Sequence, residues 1–239
     1  METNKIQKKV KIISEIHPQH FGSIKEAERM ILHSKLGGAD YVKVQLYNSK
    51  KLFNNDERKF LELNKKEFIH LVDYSNKIGI EMFASIFDEE RLEWCEELNI
   101  NTYKIASRTV SEESLCKKII ATGKQIIISL GMFDHQYKKI PFTGNNIKYL
   151  YCISKYPTNL RDIDMPDFEN SIFSGFSDHT IGTSACIYAV SKGAEIIEKH
   201  FSFNKSQNVD TQLAHVCSMD EKDLREIRIH SDNLTLIKS

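Results

Sequence analysis

The sequence predicts an α/β protein folded as a (β/α)8 TIM barrel. Eight short apolar, β-branched runs recur along the 239 residues, and amphipathic helical patterns separate most of them. Several of those patterns end at a glycine a few residues before the next run, as helices often do. The length is normal for one such barrel. An open doubly wound sheet is the alternative, although no glycine-rich dinucleotide loop follows the first run.

The eight predicted strands are residues 10–16, 40–46, 80–85, 102–107, 125–130, 147–153, 172–177 and 195–201. The clearest predicted helices are residues 23–36, 65–78, 88–98, 111–122, 180–192 and 220–236. Ser111, just before "EESL", is the predicted N-cap of the fourth helix. The predicted helix-ending glycines are Gly37, Gly79, Gly123 and Gly193.

Two connections are too short or too irregular for a full helix. The link after strand 5, "GMFDHQYKKIPFTGNN", contains a proline, two glycines and paired asparagines. The link after strand 6, "SKYPTNLRDIDMPDFENS", holds two prolines and leaves room for one short helical turn. We therefore expect a barrel with shortened connections after strands 5 and 6, and one domain over residues 1–239.

Charge and composition exclude several partners. Lys plus Arg and Asp plus Glu both number 33, so no global basic field favours nucleic acid. The charged N-terminus does not resemble a signal peptide, and no apolar run approaches the ~18 residues that span a bilayer. The five cysteines are scattered and form no CxxC pair, which favours a reduced, cytoplasmic protein.

The active site of such a barrel lies at the carboxyl ends of the strands. Polar residues at those ends are Glu15, Lys43, Gln45, Ser85, Lys104, Ser107, Ser129, Ser154, Tyr156, Ser177, His179, Glu198 and His200. In "GFSDHT", strand alternation puts Ser177 and His179 on one face and Asp178 on the other. These three neighbours therefore do not offer the geometry of a Ser–His–Asp triad.

His179 and His200 end adjacent predicted strands, which lie ~4.8 Å apart, so their imidazoles can share one divalent metal. Lys43 and Lys104, with short hydroxyl donors around them, suit a ligand carrying both a phosphate and a carboxylate. Glu15 has a second interpretation, as a buried ion-pair partner of Lys43. A Schiff-base aldolase using Lys104 would leave the histidine pair unexplained.

Six motifs in order, "KVQLY", "YKIAS", "SLGM", "YCISKYP", "GFSDHT" and "EKHF", resemble the bacterial sialic acid synthase (N-acetylneuraminate synthase) family. "EIHPQHFGS" is similar to that family's first-strand motif. The resemblance covers almost the whole chain. It implies condensation of phosphoenolpyruvate (PEP) with an N-acetylmannosamine-like aldehyde, giving a nine-carbon 2-keto acid and phosphate. It also implies a divalent metal, first of all Mn²⁺, with Mg²⁺ or Co²⁺ as alternatives.

The resemblance assigns the catalytic roles to Glu15, Lys43 and Lys104, and the metal to His179 and His200. It assigns substrate binding to Gln45, Ser85, Ser107, Ser129, Ser154, Tyr156, Ser177 and Asp210. Glu15 would be the carboxylate near the forming bond. The resemblance further implies a homodimer.

The sequence departs from the family pattern at several positions. His17 and Gln19 replace a glycine and an asparagine, and Ser154 replaces an asparagine. Arg108 and Thr109 stand where the family has a glutamate after the strand 4 serine. We expect the chain to lack the family's C-terminal antifreeze-like domain. Two alternatives stay open: a PEP-dependent synthase for another 3-deoxy-2-keto sugar acid, and a barrel that binds sugar or PEP without turnover.

Overall fold

Eight parallel strands close into one barrel, in which each strand pairs with its neighbours in chain order and the last strand pairs with the first. The computed structural model describes residues 9–134, 139–207 and 214–238. The strands are β1 Lys11–Glu15, β2 Tyr41–Leu46, β3 Glu81–Ile86, β4 Thr102–Ile105, β5 Gln125–Ser129, β6 Ile147–Cys152, β7 Phe173–Asp178 and β8 Ile196–His200. The predicted closed barrel is confirmed, and the open sheet is excluded.

Helices cover the outside of the barrel. They are α1 Ile24–Gly37, α2 Ser49–Phe53, α3 Lys65–Ile78, α4 Glu89–Glu97, α5 Glu113–Ala121, α6 Ser184–Ser191 and α7 Glu221–Lys238. Helix α3 shows why these boundaries are readable: Asn64 and Glu67 form a reciprocal capping box, and Gly79 ends the helix at φ 77°. The sequence did not predict α2 or the 3-10 turn Lys59–Leu61, which are too short to show a period.

Two helix starts differ from the prediction. Helix α5 begins at Glu113, and Ser111 does not cap it, because its hydroxyl bonds back to the carbonyl of Arg108. Helix α6 begins four residues later than predicted, since the Asp178 carboxylate accepts the amide of Thr180 and turns the chain there. The glycine with left-handed φ after α1 is Gly38, one residue beyond the predicted end.

The described parts of the connections after β5 and β6 contain no α-helix. Residues 130–134 and 139–146 are irregular, and the second link contains the single 3-10 turn Leu160–Asp162. The predicted shortening is therefore confirmed. Elsewhere in the described residues, no helix combines the length and the apolarity that crossing a bilayer requires. All five cysteines are buried free thiols.

The strand register brings distant polar residues together inside the barrel. Glu15 is the Cα partner of both Lys43 and His200, while Ser177 pairs with Glu198 in the same way. The apolar residues that alternate with Lys43 and Gln45 in β2 point the opposite way and are fully buried. Apolar packing therefore surrounds the barrel, while its carboxyl end carries polar side chains.

Candidate active site

A pocket of about 590 Å³ opens at the carboxyl ends of the strands. Its walls include twelve of the predicted site residues: Glu15, Lys43, Gln45, Ser85, Lys104, Ser107, Ser129, Ser154, Tyr156, Ser177, His179 and His200. Asp210, the thirteenth, lies outside the described residues. The volume is in the range of small-molecule sites. The structure therefore brings the predicted residues together, while their roles remain predictions.

Glu198 is the centre of a buried charge network in this pocket. Its Oε1 atom accepts hydrogen bonds from Lys104 Nζ at 3.0 Å and from Ser177 Oγ at 2.8 Å, and Lys43 Nζ lies 3.3 Å from Oε2. Burial alone would raise the pKa of Glu198, but the two lysines and Ser177 outweigh it and hold that pKa below its usual range. Glu198 is therefore ionised and is the shared counter-ion of both lysines.

Glu15 lies in a different environment. Its Oε2 atom is 2.5 Å from Lys43 Nζ, and its Oε1 atom accepts the backbone amide of His17 at 2.8 Å. Burial raises the pKa of Glu15 despite the attraction of Lys43. The buried ion pair with Lys43 thus exists, and it leaves Glu15 the carboxylate more easily protonated than Glu198. Two carboxylates with different proton affinities in one site permit separate acid–base and electrostatic roles.

The serines hold the two ammonium groups in place. Lys43 Nζ donates to Ser85 Oγ at 3.0 Å, and Lys104 Nζ donates to Ser129 Oγ at 2.8 Å. Ser107 Oγ instead accepts the amide of Gly131 at 3.1 Å, which joins the turn after β4 to the turn after β5. Each lysine therefore has a hydroxyl and a carboxylate partner, which keeps it extended toward the pocket.

The two histidines share one chemical arrangement. His179 Nδ1 lies 2.8 Å from the carbonyl of Ile153, and His200 Nδ1 lies 3.2 Å from the amide oxygen of Gln19. Both partners are acceptors, so each Nδ1 carries a proton, and in the neutral ring Nε2 keeps a lone pair. Burial alone would lower the pKa of His179, but contacts with Cys152 and with the carbonyl of Ile153 outweigh it and raise that pKa. Burial lowers the pKa of His200 well below its usual range, so this ring is neutral. The centroids of the two histidine rings are 5.7 Å apart, and the Tyr156 ring lies 4.1 Å from that of His179, tilted by 40°.

This arrangement fits a divalent metal. A metal-binding histidine commonly donates its other ring N–H to an oxygen, which fixes the tautomer and orients the ring. His179 and His200 both do so. Within the described ranges, no set of three or more His, Cys, Asp or Glu side chains is arranged around one point. The protein would therefore supply two nitrogen ligands and leave the remaining positions to water or substrate.

Asp178 and Lys199 lie behind the histidines, on the outer face of β7 and β8. Lys199 Nζ contacts Asp178 Oδ2 at 2.6 Å and donates to the carbonyl of Thr180 at 2.6 Å. Asp178 also accepts the amide of Thr180 at 2.8 Å. The prediction that Asp178 turns away from the pocket is confirmed, and its contacts fix the chain on both sides of His179.

Three residues of the pocket were assigned no role from the sequence. Glu198 was recognised only as a polar strand-end residue without a role, because its two lysine partners come from other strands. Arg58 and Arg108 also line the pocket, from the loop after α2 and the turn after β4. Arg58 had no sequence signal, because it lies in an irregular connection. Arg108 was noticed only as a departure from the family pattern.

A family model described as the NeuB family matches residues 30–238. An uncharacterized protein of Methanocaldococcus jannaschii is 32% identical over 232 residues, covering 90% of this chain and 68% of that protein. The pseudaminic acid synthase of Helicobacter pylori is 32% identical over 226 residues, covering 82% of this chain and 66% of the relative. The chain thus spans about two thirds of the length of these relatives.

The backbone of this chain is also similar to that of a solved structure. The N-acetylneuraminic acid (sialic acid) synthetase of Leptospira borgpetersenii, crystallised with citrate, superposes with a TM-score of 0.85 at 29% identity. The match covers 98% of this chain and 86% of that one. A truncated 3-deoxy-D-arabino-heptulosonate 7-phosphate synthase of Thermotoga maritima matches at 15% identity and TM-score 0.70, a likeness of fold alone.

Proposed function

Because the chain belongs to the NeuB family, we propose that it condenses PEP with an amino-sugar aldehyde to give a sugar-type 2-keto acid and phosphate. The pocket supports this function through one observation above all. Two buried lysines share Glu198 on one side of the pocket, and two histidines with bare Nε2 atoms lie on another. One region suits an anion, and the other suits a cation that contacts an aldehyde oxygen.

PEP carries negative charge on its phosphate and on its carboxylate, so its site needs several donors and cations. Lys104 and Lys43 supply the charge, while Ser107, Ser129 and Ser177 supply short donors. The Lys104 and Lys43 ammonium groups are buried, where electrostatic attraction is stronger than in water. These residues would bind and orient PEP.

The proposed reaction forms a carbon–carbon bond and a carbon–oxygen bond to water, and it breaks the carbon–oxygen bond to phosphate. C3 of PEP attacks the aldehyde carbon, whose oxygen becomes an alkoxide and takes a proton. Water adds to C2 and loses a proton, and the resulting tetrahedral carbon then expels phosphate while its new hydroxyl gives up its proton to leave the ketone. Glu15, with its raised pKa, is the group we assign to take the proton from that water.

His179 and His200 would hold a divalent metal, with Mn²⁺ as our first choice. When bound there, such an ion supplies Lewis-acid stabilisation of negative charge on the aldehyde oxygen. The chain's own contribution is to present two Nε2 lone pairs and to keep the rings oriented through Ile153 and Gln19. Tyr156 packs against both rings, at 4.1 and 5.8 Å between centroids.

Phosphate release tests the proposal. The purified protein is incubated with Mn²⁺, PEP and a panel of aldoses that includes N-acetylmannosamine, other acetamido sugars and pentoses. We expect release with at least one acetamido sugar, abolished by EDTA and restored by Mn²⁺. Release only with other aldoses would indicate a synthase for a different 3-deoxy-2-keto sugar acid. No release with any sugar, alongside intact Mn²⁺ and PEP binding, would contradict the catalytic proposal and favour a binding barrel.

A pair of histidine variants tests the metal assignment separately. His200→Ala removes one proposed ligand and should weaken Mn²⁺ binding, measured by calorimetry, by at least 10-fold. His230→Ala changes an exposed histidine of α7 and is the matched control. Equal Mn²⁺ affinity in both variants would refute the ligand assignment. The predicted homodimer is tested on the same preparations by light scattering.

A further inference from the structure

Two arginines lie in the pocket but have no role in the reaction proposed above. Arg58 lies in the connection between α2 and the 3-10 turn Lys59–Leu61, and Arg108 lies in the 3-10 turn after β4. Both line the same pocket as Lys104 and Tyr156. Arg58 is half-buried and Arg108 is exposed, whereas Lys104 is buried. The arginines therefore occupy the solvent side of the pocket.

Both guanidinium groups lie next to the same aromatic ring. Arg58 Cζ lies 4.8 Å from the centroid of Phe53, and Arg108 Cζ lies 4.9 Å from the same centroid. The two carbons are therefore at most about 10 Å apart, comparable with the Debye length of about 10 Å at 0.1 M salt. Phe53 in turn packs edge-on against buried Tyr47, at 5.5 Å between centroids. We call Arg58, Arg108 and Phe53 the arginine clamp.

The positive charge of the clamp is uncompensated. Among residues 9–134, 139–207 and 214–238, neither guanidinium has a carboxylate within ion-pair distance. Of the other five arginines in these ranges, only the exposed Arg161 also lacks such a partner, and Arg29, Arg91, Arg225 and Arg228 each have at least one. Burial and the nearby Arg58 lower the pKa of Arg108, as expected for like charges held together. Two cations at the rim of a substrate pocket, without a described counter-ion, favour an anionic ligand.

We propose that the arginine clamp binds a phosphate group carried by the acceptor sugar, so that the substrate class is a phosphorylated amino-sugar aldehyde. This inference rests on the proposed function. The guanidinium fork matches phosphate oxygens in pairs, which a lysine ammonium does not. In an open-chain aldose the aldehyde and the terminal carbon are opposite ends. With the aldehyde at the histidines, a terminal phosphate would extend toward the rim.

The phosphate of PEP is the other possible source of the same anion. Lys43 and Lys104 are the cations that we assign to PEP in the interior of the barrel, where Glu15 and Glu198 are their counter-ions and serine hydroxyl groups accompany them. The clamp lies on separate loops on the solvent side. Kinetics with each substrate varied in turn distinguish the two sources.

The test compares one acetamido aldose with its terminal phosphate ester, in the wild-type protein and in Arg58→Ala, Arg108→Ala and the double variant. We expect wild-type kcat/KM to favour the phosphorylated acceptor. Each single variant should lower that preference by roughly 10-fold, and the double variant by roughly 100-fold or more. Arg108→Lys should retain part of it. Arg225 is an exposed arginine paired with Glu221 on α7, so Arg225→Ala is the matched control. It should change kcat/KM for neither the phosphorylated nor the unphosphorylated acceptor.

Three outcomes would overturn the inference. Equal loss with both acceptors, together with a lower melting temperature, would mean that the arginines only support Phe53. A raised KM for PEP with either acceptor would assign the clamp to PEP. An unchanged acceptor ratio in the double variant would leave the clamp without a role in binding the acceptor.

A binding measurement separates this inference from the proposed reaction. The alditol phosphate made by reducing the aldehyde cannot condense, so its binding is measurable by calorimetry in the presence of Mn²⁺ and PEP. We expect it to bind at least 10-fold more tightly than the unphosphorylated alditol, and Arg58→Ala/Arg108→Ala to abolish the difference. Tight binding without any turnover of the aldose phosphate would retain the clamp and refute the reaction. Turnover with no phosphate preference would retain the reaction and refute the clamp.

Discussion

The buried ion pair behind His179 and His200, the proposed metal ligands, is the most informative position for a stability experiment. Lys199 Nζ lies 2.6 Å from Asp178 Oδ2, and the two side chains are 1% and 0% exposed. Lys199→Met would leave the carboxylate buried without its charge partner. Removing one partner of a buried pair costs about 3–5 kcal/mol. Asp178 keeps the amide of Thr180 at 2.8 Å and the thiol of Cys186 at 3.1 Å, so we expect the lower end of that range.

For a chain of this size, 3 kcal/mol corresponds to a fall in melting temperature of roughly 6–12 °C. Urea unfolding followed by circular dichroism measures the change in free energy directly. Lys118→Met is the matched control, since Lys118 lies 2.6 Å from Glu89 at the surface, with side chains 51% and 58% exposed. That surface pair should contribute at most about 1 kcal/mol.

The double variant Asp178→Asn/Lys199→Met completes the cycle. Because it removes both charges together, it should be less destabilising than the sum of its single variants. If Lys199→Met costs no more than Lys118→Met, the buried pair does not stabilise the fold and the reasoning is wrong. A double variant that costs the full sum would show that the two residues act independently.

Three further predictions concern the site and its supports. Lys104→Met should lower kcat/KM for PEP by roughly 100-fold while the affinity for Mn²⁺, measured by calorimetry, persists. A comparable loss of Mn²⁺ affinity would contradict a role of Lys104 confined to PEP. Gly175→Ala should be more destabilising than Gly123→Ala, because the Cβ at position 175 would lie 2.1 Å from the backbone oxygen of Ile196. The Cβ at position 123 meets open space, so only its positive φ of 72° opposes the substitution; paired melting curves decide this. Burial lowers the pKa of His20 from 6.5 to about 4, so the unfolded chain binds the extra proton and stability falls as pH falls from 6.5 toward 4. His20 should account for about 2 kcal/mol of that loss by pH 5. Urea unfolding at several pH values should therefore show that the free energy of unfolding of His20→Gln falls less steeply with pH than that of the wild type; an unchanged pH dependence would refute the assignment.

The sequence alone predicted the eight strands, the shortened links after β5 and β6, and which side chains face the pocket. These features depend on short-range periodicity: Ser177 and His179 fall on one face of β7 and Asp178 on the other, whatever the rest of the chain does. Ser111 shows the limit of such local rules, because a competing bond to Arg108 removed its predicted cap.

Only the tertiary structure decided which distant residues became partners. Glu198 is the counter-ion of Lys43 and Lys104 because closure of the barrel sets the register of three strands that are far apart in sequence. Arg58 and Arg108 meet on Phe53 because two irregular loops converge over the same pocket. Periodicity carries no information about such loops, since their backbone has no repeat. The residue types of the site were therefore readable from the sequence, whereas its charge balance depended on the fold.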